Sequence, residues 1–344
     1  MKKKIAIIVS AVVLIGAAAY AGVVFYNKYY DRKVPNFEAV SELYVRPGTP
    51  VDSVVATILE TSSPKSIRSV RRVFLDVDSV AAGHYTITPD NPSIYVARML
   101  SNGWQTPVKL VLSGSLRRQG TIASKISSQM MLDSADVIAA IRDSVLLARF
   151  GFTPENVFAL FVPDTYECWW TEPMEKVLER QKAAYDAFWT ESNKAKAKAL
   201  GLTRDEVAVL ASIVNGETLH VPEMPSIAGV YLNRLRIGMK LQADPTVAYC
   251  FDYSLNRILK KHTQVDSPFN TYKYAGLPPA PICVPTKPAL EAVLNPDRHG
   301  YLYFCASPDF NGTHRFAVSY QEHLRNAREF QRALTARQKA KAGN

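Results

Sequence analysis

The stretch LASIVNGETLHVPE, residues 210–223, combines the pattern of a buried helix with features that oppose one. Thr203 and Glu206 precede it with the spacing of a capping box, which predicts that a helix begins there. Apolar residues then recur at steps of three and four, and Glu217 continues their stripe one turn past Val214. The sequence therefore places an acid on the apolar face of a helix.

Two interpretations of Glu217 are open at this stage. If the helix continues through Asn215 and Gly216, apolar surroundings raise the pKa of the carboxyl, because desolvation disfavours its charged form. A carboxyl of this kind stays protonated near neutral pH and can act as a general acid. If the turn-forming Asn-Gly pair ends the helix, Glu217 is instead exposed to solvent.

A metal site at this position is a further alternative. His220 and Glu223 follow Glu217 at three-residue steps, a spacing that suggests metal ligands. We do not predict such a site, because Pro222 breaks the helix and no second cluster supplies the missing ligands. Neither a metal nor an organic cofactor is expected.

Polar residues cluster in the two segments that follow. VYLNRLRIGMKLQADPTVAY, residues 230–249, predicts a helix that ends at Gly238 and then a short extended stretch at residues 241–246. FNTYKYAGLPPAPICVP, residues 269–285, predicts a stiff proline-rich loop with little entropy to lose on binding. The alternative is that the first segment forms a salt-bridged surface turn and that the proline-rich loop is rigid without binding a ligand. The predicted hydroxyl-binding residues are Asn233, Arg234, Gln242, Asp244, Thr246, Asn270 and Tyr272.

The N-terminus carries the pattern of a membrane segment. Three lysines precede an uncharged, mainly apolar run at residues 5–26, and a bilayer span needs roughly 20 such residues. The run exceeds the usual core of a signal peptide, so we predict a retained transmembrane anchor at residues 1–28, with most of the chain outside. Cleavage near Ala19-Tyr20-Ala21 is the alternative.

Charge and cysteine usage limit the function further. The 344-residue chain has 41 basic and 31 acidic residues, a formal net charge of +10. No basic stripe interleaved with aromatic residues stands out, so we do not expect a nucleic acid as a partner. The net positive charge instead favours an acidic polymer or an anionic membrane. Paired C-x-x-C spacing is absent, which argues against zinc. Buried free thiols and a disulfide both fit the cysteines Cys168, Cys250, Cys283 and Cys305.

The pattern along the chain predicts an α+β fold. A strand at residues 43–46, a helix capped by Thr49, a second helix from Ile67, and a strand at residues 83–88 give the βααβ layout of a small LysM-type module. Farther on, we predict a strand at 108–112, helices at 121–131 and 134–147, a loop at 161–166 and one long helix at 174–199. The predicted domains are the LysM-like module at 38–105, a linking α/β region at 106–200, a mixed α+β domain with Glu217 at 201–334, and a frayed basic tail at 335–344.

Five segments share the pattern of one family, and they are LASIV-x-x-ET, NRLRIGMKLQADPTVAY, FNTY-x-x-x-GLPPAPI, YLYF and PDTY. Together they resemble the endolytic murein transglycosylases (MltG, YceG-like). The resemblance covers nearly the whole chain, from the apolar run to about residue 334. The family's catalytic glutamate corresponds to Glu217 through the ET pair, and the second acid that the family usually carries two residues earlier is Asn215 here, which cannot donate a proton.

The resemblance implies a lyase that cleaves the bond between N-acetylmuramic acid (MurNAc) and N-acetylglucosamine (GlcNAc) without water, giving 1,6-anhydro ends. Glu217 would serve first as acid and then as base. Sugar hydroxyls would be oriented by Asn233, Gln242 and Asn270, and the oxocarbenium-like charge stabilised by Glu223 or Asp244. The implied setting is the inner membrane with the catalytic portion in the periplasm, beside peptidoglycan synthases, where internal cleavage would limit the length of growing glycan strands.

Two other functions also fit the sequence. An inverting muramidase would need a second carboxylate to activate water, and Asp244 is the candidate. A membrane-tethered scaffold that only binds peptidoglycan would need the LysM-like unit and would leave Glu217 inert. Product chemistry separates the first alternative from a transglycosylase, and any cleavage excludes the second.

Overall fold

The computed structural model describes residues 2–342, and within them the chain divides into two compact units. The first unit contains the residues up to 109 together with residues 129–131 and 167–172. The second contains residues 110–128, 132–166 and those from 173 onward. The predicted helix with Glu217 belongs to the second unit.

The first unit begins with α1, Lys2–Lys33, a helix of 32 residues. Its most apolar window has a mean hydropathy of 2.5, and none of that window is buried. Length and composition therefore allow α1 to cross a membrane, and a signal sequence near the N-terminus would have the same properties. The expected apolar helix is present, as an anchor or a signal.

The rest of the first unit has a strand–helix–helix–strand order. The elements are β1 (Ser41–Val45), α2 (Val51–Thr61), α3 (Ile67–Phe74), β2 (Gly83–Ile87) and α4 (Ser93–Ser101). The two strands pair antiparallel, with Ser41 opposite Ile87. Alternate residues of β1 are buried, as one face of a half-buried strand requires. The mixed α+β class is confirmed, and the likeness to a LysM module stays a prediction.

One local prediction in this unit is wrong. Thr49 does not cap α2, because its hydroxyl donates to the carbonyl oxygen of Arg46 at 2.8 Å. Pro50 occupies the N-cap position and α2 begins at Val51. Thr49 therefore stabilises the preceding turn rather than the helix.

The remaining elements run from a strand at the boundary of the units to a long C-terminal helix. They are β3 (Val108–Leu112), α5 (Gln119–Ser127), α6 (Ser134–Arg142), α7 (Ser144–Ala148), β4 (Asp164–Cys168), α8 (Met174–Phe188), α9 (Glu191–Ala199), α10 (Arg204–Glu217), α11 (Met224–Arg236), α12 (Asp244–Cys250), α13 (Lys287–Leu294), β5 (Tyr303–Ala306), β6 (His314–Ala317) and α14 (Tyr320–Ala342). β3 pairs with β4, and β5 with β6.

Two segments that we predicted as single helices each form two helices in the structure. Residues 134–147 divide because Asp143 leaves the helical conformation and accepts from the backbone N–H groups of Val145 and Leu146. Residues 174–199 divide at Thr190, whose hydroxyl accepts from the N–H of Asn193 and caps α9. Short polar side chains that bond to the backbone compete with helix continuation in this way.

Three further segments differ from the predictions. The predicted loop at 161–166 contains the start of β4. The predicted extended stretch at 241–246 becomes helical from Asp244 onward. Pro245 suits the first turn of α12, because a residue in that turn needs no backbone N–H for a hydrogen bond within the helix. The tail predicted to fray is helical up to Ala342, and residues 343–344 lie outside the described residues.

Helix α10 forms the centre of the second unit. Every residue from Val207 to Asn215 is buried, and the helix contacts α11, α12 and α13. A helix that is apolar all round needs such enclosure, and each buried Leu, Ile or Val contributes about 1.5–3 kcal/mol. The last turn of this fixed helix carries the candidate acid.

Candidate active site

Helix α10 continues through the Asn-Gly pair and ends at Glu217. Its start has the predicted capping box between Thr203 and Glu206. A Cβ atom on Gly216 would lie 2.6 Å from the Cβ of Pro245, so only glycine allows α12 this close. The glycine therefore serves helix packing, and the interpretation that it ends the helix is wrong.

Glu217 is partly buried and accepts a hydrogen bond of 2.6 Å from the hydroxyl of Tyr231 on Oε1. Burial raises the pKa of its carboxyl to about 7, and the negative charge of Asp244 adds to the rise. The hydrogen bond from Tyr231 and the positive charge of Arg234 oppose the rise. Both the acid and the carboxylate are therefore populated near neutral pH.

Glu217 faces an open cavity of about 650 Å³. The strand pair β5–β6, the loop between them and α14 supply much of its wall. Leu219 lies beside the acid and is 83% exposed, which provides an apolar surface next to polar groups. The other lining residues are Thr218, His220, Ala306, Ser307, Phe310, Gly312, Thr313, His314, Phe330 and Arg337.

Asp244 and Tyr272 form a polar pair near Glu217. The hydroxyl of Tyr272 donates to Oδ1 of Asp244 at 2.6 Å. Burial raises the pKa of Tyr272, and this hydrogen bond and the charges of Asp244 and Glu217 add to the rise. Gln242 is exposed and adopts a left-handed backbone with φ of 49°, while its N–H donates to the carbonyl of Thr271. Of the predicted sugar-binding residues, Gln242 and Asp244 are exposed and Tyr272 is half-buried, and their contact with a sugar stays a prediction.

Asn233 and Arg234 bond instead to the backbone of the neighbouring chain segments. The amide of Asn233 donates to the carbonyls of His299 and Tyr301 at 2.9 and 3.0 Å. Arg234 is buried and donates to the carbonyls of Leu302 at 2.6 Å and of Leu241. Because these N–H groups already donate to backbone carbonyls, both side chains stabilise the segment before β5, and Arg234 also stabilises the segment before α12. They do not offer these N–H groups to a sugar.

Thr246 and Asn270 are also fully buried. The hydroxyl of Thr246 donates to the carbonyl of Ala243 at 2.7 Å, within the first turn of α12. The amide of Asn270 donates to the carbonyls of Thr263 and Val265 at 3.0 and 2.7 Å. Neither side chain reaches solvent, so the predicted role of Asn270 in orienting a sugar hydroxyl is incompatible with its position.

Glu223 bonds to β6. Its carboxylate accepts from the backbone N–H of His314 at 2.8 Å and lies 3.0 Å from Nδ1 of the same residue. His220 is exposed, and within residues 2–342 no three potential metal-ligating side chains form a group. Glu223 thus holds a wall of the cavity in place.

Asn215 is held on the buried side of α10. Its Oδ1 accepts from the hydroxyl of Thr286 at 2.7 Å, and its Nδ2 lies 4.0 Å from Sγ of Cys283. Burial raises the pKa of the Cys283 thiol to about 12. All four cysteines are free thiols in the structure, with Cys168 and Cys283 buried and Cys250 and Cys305 half-buried.

Sequence reasoning missed Tyr231, His314 and the contribution of α14 to the cavity. Nothing in the local pattern distinguishes Tyr231 from an ordinary core aromatic, because it lies within a continuous buried run of α11. The partners of His314 are 91 residues earlier in the chain. Only the folded arrangement brings these residues to Glu217.

Comparison with known proteins relates the chain to peptidoglycan enzymes. Over 152 residues it is 36% identical to the endolytic murein transglycosylase of Bacillus subtilis (strain 168), covering 44% of this chain and 41% of that protein. It is 31% identical over 172 residues to the enzyme of the same name in Streptococcus pneumoniae serotype 2, covering 48% of this chain and 31% of that protein. The chain thus spans less than half the length of the curated relatives that it matches.

A solved structure and a family comparison extend the likeness to most of the chain. The crystal structure of a YceG-like protein from Listeria monocytogenes aligns with 84% of this chain and 99% of its own, with a TM-score of 0.53 and 26% identity. The sequence pattern of the YceG-like family matches residues 43–329. This match includes Glu217 and the elements that surround it, and the chain therefore belongs to the YceG-like family.

Proposed function

We propose that this chain is a lytic transglycosylase that cleaves peptidoglycan glycan strands between MurNAc and GlcNAc, with Glu217 as the catalytic acid and base. The observation that carries the proposal is a carboxyl with a pKa of about 7, held by Tyr231 at the edge of an open cavity. Relatives named endolytic murein transglycosylases and membership of the YceG-like family support the substrate class.

The reaction needs a single group that exchanges one proton twice. The neutral carboxyl of Glu217 donates its proton to the glycosidic oxygen while the bond to MurNAc C1 breaks, and GlcNAc leaves with a free hydroxyl. The Glu217 carboxylate then accepts the proton of the MurNAc 6-hydroxyl, whose oxygen bonds to C1. Glu217 is protonated again at the end and no water is consumed. A pKa near the working pH suits both steps.

Tyr231 and Asp244 have separate supporting roles in this mechanism. Tyr231 stabilises the carboxylate form between the two steps by donating a hydrogen bond to it. Asp244 contributes negative charge close to C1 as C1 becomes positive. Its carboxylate also accepts a hydrogen bond from the hydroxyl of Tyr272. Exposed Gln242 is the remaining candidate for contact with a sugar hydroxyl.

We also propose that α1 retains the enzyme in the inner membrane with the second unit in the periplasm. A helix of 32 residues that contains an apolar window long enough to cross a bilayer supports the anchor, and the location supplies peptidoglycan as the substrate. Internal cleavage close to the membrane would limit the length of new glycan strands, in the neighbourhood of peptidoglycan synthases.

Product analysis tests the proposed activity. The full-length chain in detergent is incubated with purified peptidoglycan, and the soluble products are identified by mass spectrometry. We expect 1,6-anhydro-MurNAc ends, which are lighter by one water than the reducing ends that a muramidase produces. Reducing ends alone would establish a hydrolase, and absence of cleavage would support a binding scaffold.

A pair of matched variants tests the assignment of Glu217. Glu217→Gln keeps the size of the side chain and removes the acid, and should abolish the anhydro products. Glu291→Gln makes the same change on the exposed side of α13 and should leave them unchanged. Retention of most activity by Glu217→Gln would refute the assignment.

A further inference from the structure

A second cavity, of about 750 Å³, lies in the same unit and contains none of the predicted site residues. Its wall combines basic side chains from the start of α5 and from α6 with aromatic rings from the end of α12 and the loop beyond it. The residues used below are Arg117, Arg118, Arg142, Tyr249 and Phe269. A cavity of this composition suits a ligand that has both an anionic group and apolar atoms.

Arg117 is the basic group that is free to bind an anion. It is half-buried, and its guanidinium carbon lies 5.3 Å from the centre of the Tyr253 ring. Across the described part of the chain, no hydrogen bond or ion pair engages this guanidinium. Stacking on an aromatic ring fixes the planar fork while leaving its N–H groups available, as carboxylate recognition requires.

The other charged groups at the cavity each have a partner. Arg118 forms an ion pair with Asp252 at 3.2 Å, and Nε of Arg142 donates to the side-chain oxygen of Gln119 at 2.9 Å. Glu155 is the second carboxylate in the wall, and a hydrogen bond from Thr153 lowers its pKa. Three arginines against two carboxylates leave the cavity with a net positive charge of one, and Arg117 is the arginine without a hydrogen-bond or ion-pair partner among the described residues.

The turn that holds Arg117 has an unusual backbone. Asp252 and Tyr253 are consecutive non-glycine residues in the left-handed region, with φ of 48° and 51°. The hydroxyl of Tyr253 donates to the carbonyl of Ile282 at 2.6 Å and fixes the ring beneath the guanidinium. Such conformations persist only where the surroundings enforce them, and they concentrate at ligand sites.

The cavity is close enough to Glu217 to serve the same substrate. Helix α12 begins next to Glu217, where Pro245 packs on Gly216, and it ends at Cys250 in the wall of the cavity. Seven residues of helix span about 10 Å. A glycan strand held at Glu217 could therefore place a substituent in the cavity.

We propose that this cavity binds a carboxylate of the peptide attached to MurNAc, with Arg117 as its receptor and the rings of Tyr249 and Phe269 against the apolar atoms of the peptide. These two rings lie 4.6 Å apart between centroids and form one aromatic surface. The assignment rests on the proposed function, because it takes the peptide from a peptidoglycan substrate. It makes Arg117 a residue that selects glycan strands that still carry peptides.

A binding measurement tests the assignment without relying on catalysis. The full-length chain in detergent is titrated calorimetrically with the free stem peptide and with the same peptide after its carboxylates are amidated. The acid form should bind about tenfold more tightly than the amide, and Arg117→Gln should remove that difference. Lys198→Gln, which removes one positive charge from exposed α9, should preserve it. Equal binding of acid and amide by the unaltered chain would overturn the proposal.

A kinetic comparison distinguishes failure of this inference from failure of the proposed function. Glycan strands with their peptides, and the same strands stripped by an amidase, are given to the unaltered chain and to Arg117→Gln. We expect Arg117→Gln to raise KM about tenfold on peptide-bearing strands and to match the unaltered chain on stripped strands, which also shows that the variant is folded. An equal effect on both substrates would refute the role of Arg117. Absence of anhydro products from both would refute the proposed function, and the binding measurement would still decide the peptide site.

Discussion

The hydroxyl of Tyr231 donates a 2.6 Å hydrogen bond to Oε1 of Glu217, linking the middle of α11 to the last residue of α10. Tyr231 is 1% exposed, and its ring makes an edge contact with Phe304 at 5.9 Å between centroids. A buried phenol held in this way has little rotational freedom. It therefore fixes one oxygen of the acid and leaves the other available for the proton transfer that we propose.

Tyr231→Phe should change the pH dependence of the reaction. The hydrogen bond lowers the pKa of Glu217, so its loss raises that pKa above about 7. Because the first step needs the protonated acid, activity falls as pH rises through this pKa, and the fall should move to higher pH in the variant. At low pH, where both proteins are fully protonated, we expect roughly tenfold lower activity, because the carboxylate formed in the first step loses a charge-assisted bond. The check is kcat/KM measured across pH.

The control for this prediction is Tyr185→Phe. Tyr185 is also buried, belongs to α8 and makes no hydrogen bond to Glu217. It should leave the pH profile unshifted. If Tyr231→Phe lowers activity equally at every pH, the tyrosine has a packing role and does not position the acid.

Glu217→Gln should stabilise the folded protein at high pH and not at low pH. The folded-state pKa of about 7 exceeds the ordinary value of 4.5, so the folded state binds the proton more tightly than the unfolded state. The wild-type protein therefore loses stability as pH rises from 4.5 to 7, by up to roughly 3 kcal/mol. Glutamine does not titrate and avoids that loss. Melting temperatures at pH 5 and pH 8 provide the measurement, and an equal difference at both pH values would contradict the raised pKa.

Gly216→Ala should lower both stability and activity. Alanine in place of glycine within a helix normally stabilises it by about 1 kcal/mol. Here the added Cβ would lie 2.6 Å from Cβ and 2.9 Å from Cγ of Pro245, and relief of such a clash costs about 1–3 kcal/mol. The resulting shift would separate Glu217 from Asp244.

The matched substitution is Gly120→Ala in α5, where an added Cβ meets no atom within 4 Å. It should be neutral or stabilising in a thermal melt. If both alanine variants behave alike, close packing of α10 against α12 is not the reason for glycine at position 216.

The start of α10 could be predicted from sequence because its signals are local. The capping box and the apolar stripe lie within one stretch, and both describe the folded helix correctly. The outcome at Asn215-Gly216 could not be predicted, because it depends on Pro245, which lies 29 positions after Gly216. Propensity favours a turn there, and tertiary packing overrides it.

The polar residues around Glu217 show a different limit. Sequence predicted Asp244 and Tyr272 close to the acid, and the structure places both side chains within electrostatic reach of Glu217, while their contact with a sugar stays a prediction. Sequence does not reveal whether an amide points to solvent or to a backbone carbonyl, so Asn233 and Asn270 could not be separated from them. Buried irregular backbone needs hydrogen-bond partners, and these two amides supply them.

Asn270→Ala should therefore lower the stability of the fold, whereas Gln242→Ala should weaken substrate binding and leave stability nearly unchanged. The buried Asn270 amide satisfies two backbone carbonyls, and its Oδ1 accepts from the N–H of Tyr272 at 3.0 Å. Its loss should cost about 1–3 kcal/mol, because buried carbonyls are left unpaired. Exposed Gln242 should change the free energy of unfolding by no more than about 0.5 kcal/mol, and its loss should raise KM if it contacts the sugar. Thermal melts together with KM and kcat on peptidoglycan separate the two effects, and a stable Asn270→Ala variant with only a raised KM would return Asn270 to the substrate-binding surface.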